Sequence, residues 1–144
     1  MKVGSAVVVC FAWLLMGLEC TAKHMFQAKW HHHVIAQARV EDVTVVDGAY
    51  YFPKNSLRKR FFRASTETHM DKFGVANYYH LQELHPIHKV HVNVHKDSAY
   101  TFRDPNPGYE HIKGMVAFHR GVRIERHDIG DHEGDVHHDR HAEL

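Results

Sequence analysis

Apolar and polar positions follow one another along this chain in short, β-type runs more often than at helical spacing. Over residues 25–46 the apolar runs are rich in β-branched types, and Asp47 with Gly48 supplies a turn before Tyr50, Tyr51 and Phe52. The pattern predicts a β-meander that Pro53 stops. Asn55 or Ser56 can then cap a short helix through Arg63, with Leu57 and Phe61 four apart on one face. That helix would carry Arg58, Lys59, Arg60 and Arg63, read as a solvated basic face or, alternatively, as an anion or polysaccharide site.

Residues 75–81 predict another strand, and residues 88–95 alternate cleanly. Val90, Val92 and Val94 face one way, and Lys89, His91, Asn93 and His95 the other. Residues 99–102 are expected to pair with that strand. Asp104, Pro105, Asn106, Pro107 and Gly108 then make a stiff turn, followed by a helical turn through Ile112. Residues 114–118 and 122–125 read as a last hairpin around Arg120 and Gly121. After Arg126 the apolar periodicity ends in Gly, Asp, Glu and His.

The two ends change the picture. Lys2, an apolar run over residues 6–18, and then Cys20, Thr21 and Ala22 have the pattern of a cleavable signal peptide, so residues 1–22 are expected to be removed. The run is shorter than the roughly 20 apolar residues a spanning helix needs, so no membrane association is expected after cleavage. Residues 23–126 then form one small, mainly β domain with one or two short helices, and residues 127–144 a His/Asp-rich tail, disordered when free of metal. Both cysteines, Cys10 and Cys20, leave with the leader, so no disulfide and no thiol chemistry remain. The formal charge of +1 gives no nucleic-acid footprint, while 17 histidines make the chain strongly cationic in mild acid.

A family resemblance rests on residues in order: Val45, Val46, Asp47, Gly48, Tyr51, Phe52, Pro53; Gly74, Ala76, Tyr78, Tyr79; Ala99, Tyr100, Phe102, Pro105; Ile112, Lys113, Gly114, Val116, Ala117, Phe118. Over about residues 28–125 the chain resembles an uncharacterised, mainly microbial family labelled nucleotidyltransferase-like, or a domain of unknown function. The resemblance implies a small β-tent-like domain, similar in outline to methionine sulfoxide reductase B but without its metal-binding cysteines. The family's Cys-Pro-x-Lys-Gly-x-Ala segment stands here as Met70, Asp71, Lys72, Phe73, Gly74, Val75 and Ala76, so its Cys and its Lys before Gly are replaced. Two-metal nucleotidyl transfer needs paired carboxylates beside a phosphate-binding Gly-rich loop, and residues 23–126 offer no such set.

Candidate chemistry therefore falls on histidines. His31, His32 and His33 could converge in a turn, or stand as exposed loop residues. His91 and His95 share a strand face but lie too far apart to chelate alone, and would need His80, His85 or His88. The tail is the stronger candidate, with His127, Asp131, His132, Glu133, Asp135, His137, His138 and His141 as metal ligands; its imidazoles suit zinc or copper, and its carboxylates tolerate calcium less selectively. A plain solubilising tail is the alternative. The leading expectation is a secreted, non-enzymatic binding protein that takes divalent metal and belongs to an extracellular matrix, a mineralised one such as shell included, with anionic polysaccharide as a second partner. The rivals are an enzyme using a pocket near Tyr51, His69, Tyr78 and Tyr100, and a pH-responsive interaction module. His141, Ala142, Glu143 and Leu144 also resemble an endoplasmic-reticulum retrieval signal with Ala142 in an acidic place, which sets retention against secretion.

Overall fold

Trp30, Ile35, Ala36 and Ala38 are buried because His31 and His32 turn one strand back on another. β1 (Lys23–Trp30) and β2 (His33–Arg39) pair antiparallel, with a bulge between Ala28 and Lys29 that lets the register continue. β3 (Thr44–Val46) and β4 (Ala49–Tyr51) form the expected hairpin, its turn made by Asp47 at φ 50° and Gly48 at φ 78°. Two successive positive φ values suit a tight hairpin turn, and Asp-Gly adopts them with little strain. This is the computed structural model of the chain; it describes residues 23–119 and 121–129, of which His24–Ile129 form one compact unit.

β5 (Phe62–Asp71), β6 (Gly74–Leu84), β7 (His91–Pro105) and β8 (Val116–Phe118) make an antiparallel sheet in that order, and β9 (Arg123–Ile129) joins β1 in a second sheet ordered β2-β1-β9. The mainly β expectation holds, and the short helical pieces of the described residues are single 3-10 turns. No helix among the described residues is long and apolar enough to cross a membrane.

Three local expectations are corrected. Residues 55–63 form no continuous helix: the 3-10 turns Lys54–Ser56 and Lys59–Phe61 flank an extended Arg58, whose N–H donates to the Ile35 carbonyl at 2.8 Å. That bond straps the segment along β2 and removes the donor a helix would use. Residues 91–95 and 99–102 are not two paired strands but parts of one, β7, and both pair with β6, while residues 88–90 belong to the turn before it. Asn93 and Asp97, each at φ 51°, interrupt the alternation, and Val90 and Val94 are 53% and 45% exposed. β8 and β9 are no hairpin either, since β8 pairs with β7 and β9 with β1.

The four-stranded sheet buries apolar side chains on both faces. Leu81 and Phe118 pack with Trp30, Ile35, Phe52 and Phe61 against the β2-β1-β9 sheet. Neighbouring positions of the same strands point the other way, where Ala76, Tyr78, Tyr100, Phe102 and Ala117 meet Tyr51, Phe73 and Ile112. Phe73 is clamped edge-on between Phe102 and Tyr109, and Met70 is 70% exposed. Gly74 opens β6 at φ 131°, where a Cβ would stand 3.1 Å from the Asp104 carbonyl oxygen. Only glycine fits both the dihedral and that approach.

Candidate functional site

On the second face, beyond the packed aromatic residues, lies an open cleft of about 580 Å³ lined by Ser65, Thr66, Glu67, Thr68, His69, Tyr78, His80, Lys96, Asp97 and His119. It forms where both neighbouring ladders slip. The β5–β6 register shifts between Ala64 and Thr68, and the β6–β7 register between Tyr79 and Leu81 beside the left-handed Asp97. Bulges of this kind re-aim side chains that a regular strand would send elsewhere. Ser98 fixes the second bulge from within: it is 1% exposed, and its hydroxyl donates to the His95 or Lys96 carbonyl and meets the His95 Nδ1.

Tyr78 and Tyr100 stand opposite each other in the β6–β7 register, and the His119 ring lies on both, stacked 5.8 Å from Tyr78 and tilted 4.7 Å from Tyr100. The Ser98 carbonyl holds the His119 backbone at 2.9 Å, so the ring is set by β7 and not by a free loop. Although one edge of His119 reaches solvent, partial desolvation against the tyrosines lowers its pKa below the ordinary imidazole value, and Asp97 opposes that shift. Desolvation likewise raises the phenols of Tyr78 and Tyr100, and behind them burial and the neighbouring Tyr100 push Tyr51 well up, so all three stay protonated near neutrality.

His80 and Asp97 face each other across the slip. The Asp97 amide donates to the His80 Nδ1 at 3.0 Å, which fixes a proton on Nε2 when the ring is neutral. Nδ1 also lies 3.4 Å from the Asp97 Oδ1, but an atom accepting the amide hydrogen cannot donate to the carboxylate at the same time. The Asp97 Oδ1 is accordingly buried without a hydrogen-bond partner among the described residues. The Asp97 side chain is 35% exposed, so the carboxylate meets the cleft through its accessible part and not through Oδ1.

Of the residues expected at an aromatic pocket, His69 and Tyr78 line the cleft, Tyr100 lies under His119, and Tyr51 is buried behind Tyr100 at 6.2 Å. The His31–His33 trio divides instead of converging: His31 lies on Trp30, and His33 meets the Glu83 carboxylate at 2.9 Å. His85 accepts the amides of Ile87 and His88 in its own turn, and His95 is taken by Ser98. Among the described residues no three His, Cys, Asp or Glu side chains gather to hold a metal ion. His127 is exposed on β9, while Asp131, His132, Glu133, Asp135, His137, His138 and His141 lie outside the described residues. Glu67, Lys96, Asp97 and His119 were missed as site residues; Asn93 and Asp97, two turn-forming types inside an otherwise regular strand pattern, were the available signal.

A family model described as "Domain of unknown function (DUF427)" matches residues 19–129, and the chain belongs to that family. No curated protein matches it.

Proposed function

We propose that this DUF427 chain is a secreted binding protein without enzymatic activity, which takes a small polar ligand in the Tyr–His cleft. One observation carries the reading: a preformed, polar hollow is lined by three imidazoles, the Lys96 ammonium and the partly exposed Asp97 carboxylate. Its chemistry favours binding over turnover. The Ser–His pair that could suggest a nucleophile is Ser98 with His95, and Ser98 is closed to substrate at 1% exposure. Both cysteines lie in the proposed leader. A panel of polar metabolites, followed by NMR on the full mature chain, is expected to shift Tyr78, His80 and His119 together. A measured turnover lost in His119→Gln would replace this reading with the enzymatic one.

A second reading rests on the sequence from the end of β9 onward, where histidines and carboxylates interleave over residues 127–141. This segment holds zinc or copper, with calcium weaker, and would serve a protein of an extracellular, mineralised or polysaccharide-rich matrix. Imidazoles and carboxylates together accept several divalent metals, so affinity is moderate and metal choice loose. Because β9 runs on to Ile129 and Asp128 is bonded to His24 at 2.5 Å, a cut at Arg126 would damage the sheet. The cleaner test replaces His132, His137, His138 and His141 with alanine. Zinc calorimetry is expected to lose most binding, and undiminished binding would end the tail reading.

A further inference from the structure

Building on the cleft as a binding site, we propose that its ligand is an organic anion that also carries hydroxyl groups, a sugar acid in chemical class. The anionic group would sit among His69, His80, Lys96 and His119, and a hydroxyl would be donated to Asp97.

Two features of the cleft ask for opposite things, and one ligand class meets both. The Asp97 carboxylate lines the cleft with its side chain 35% exposed, and there it takes a neutral or cationic donor. Around it stand donors in excess: the imidazoles of His69, His80 and His119, the Lys96 ammonium, the Tyr78 phenol, and the hydroxyls of Ser65, Thr66 and Thr68. Arg63 stands opposite His80 in the β5–β6 register, on the same sheet face, and adds a permanent positive charge at the rim. A plain carboxylate or sulfate would satisfy these donors and leave Asp97 unpaired. A neutral sugar would satisfy Asp97 and make nothing of the cationic side. The cleft carboxylates, Glu67 and Asp97, restrict where an anion settles, and Asp71 adds a negative field at Tyr78 and Tyr100. The anionic group is thereby directed toward the imidazoles and Lys96.

The His119 ring supplies a proton link. In the free chain its stacking on Tyr78 and Tyr100 disfavours the imidazolium. A bound anion restores the charge, so His119 takes up a proton on binding and affinity rises as pH falls between its two pKa values. A fully linked single proton changes affinity about tenfold per pH unit across that interval. Groups facing His119 are Tyr78 and His80 from β6, Lys96, Asp97 and Tyr100 from β7, and Glu67 and His69 from β5.

The test uses the mature chain with glucuronate, glucose and acetate as probes, followed by NMR and calorimetry at pH 8.0 and 5.5. Glucuronate is expected to bind at least about tenfold tighter than glucose or acetate, to tighten toward pH 5.5, and to draw in a proton, seen as a heat that varies with buffer ionisation. His119→Gln should keep the melting temperature at pH 8.0 and lose the proton uptake. Asp97→Asn, which suits the left-handed backbone at φ 51°, should bring acetate and glucuronate to within a few-fold of each other. Glucose binding as tightly as glucuronate in the cleft would overturn the proposal and leave the binding reading standing. Should none of the three probes move Tyr78, His80 or His119, the proposal falls, and the metabolite panel alone then decides the binding reading. Glucuronate affinity equal at both pH values would overturn the proton link.

Discussion

The two faces of the β5-β6-β7-β8 sheet are built from alternate residues of the same strands and have opposite characters. Leu81 and Phe118 close one face with Trp30, Ile35 and Phe61; His80 and His119, each one residue away, line an open cleft on the other with Tyr78, over Tyr100. A strand's two-residue period therefore lets one segment hold the fold together and present imidazoles without compromise between the two tasks. Among the described residues two buried side-chain oxygens lack a hydrogen-bond partner, the Oε1 of Gln82 and the Oδ1 of Asp97.

The sharpest way to test that division is to remove one closed-face side chain. Leu81 is fully buried, and Leu81→Ala leaves a cavity between the two sheets. A loss of about 2–5 kcal/mol in urea unfolding is expected, with the NMR shifts of Tyr78 and His119 little changed below the transition. A loss under 1 kcal/mol would mean that the first core is not what holds the sheets together. Next in size is Gly74→Ala, which acts on the open side. Its φ of 131° and the 3.1 Å approach to the Asp104 carbonyl should cost roughly 1–3 kcal/mol, and the turn that seats Phe73 should loosen with it.

His119→Gln sharpens the comparison from the other side. Near neutrality its effect on stability should stay within about 0.5 kcal/mol, because the ring reaches solvent and supports no core. Its signature is in acid. The folded pKa of His119 lies below the unfolded value of about 6.5, so the unfolded chain binds more protons in that interval and stability falls as pH falls through it. The variant should lose that part of the acid slope, read as melting temperature between pH 7 and 5. An unchanged slope would remove His119 as a titrating group of the cleft.

Much of the local structure was legible in the sequence, because it depends on composition and period. The Asp47–Gly48 hairpin, the strand beginning at Gly74 and the turn after Asp104 all follow from local residue types. Pairing between distant segments was not legible. Nothing near residues 122–125 indicates that their partner is β1, and nothing near Arg58 indicates that Ile35 will take its amide. The cleft was half legible. His69 and Tyr78 stood out as chemistry beside apolar runs, whereas Asp97 and His119 depend on a bulge that shifts the alternation, and a clean period-two reading of residues 88–95 hid it.

The smallest effect expected lies at the edge between the two faces, where His33 on β2 reaches the Glu83 carboxylate on β6 at 2.9 Å and Asn93 donates to its other oxygen at 3.1 Å. These hydrogen bonds, His33 first and Asn93 second, hold the Glu83 carboxyl below its ordinary range. A depressed folded pKa means that the contribution is present above the unfolded value of about 4.3 and is lost as pH falls through the folded one. Both groups are partly solvated, so the pair is screened and its effect at neutral pH is slight. His33→Gln should barely move the melting temperature at pH 7 and should flatten its fall between pH 5 and 3. His24 with Asp128 and Lys29 with Glu125, which join β1 to β9, remain in the variant and keep their own share of that fall. A fall as steep as in the parent chain would assign acid sensitivity to the β1–β9 pairs and leave Glu83 as a surface ornament of the closed face.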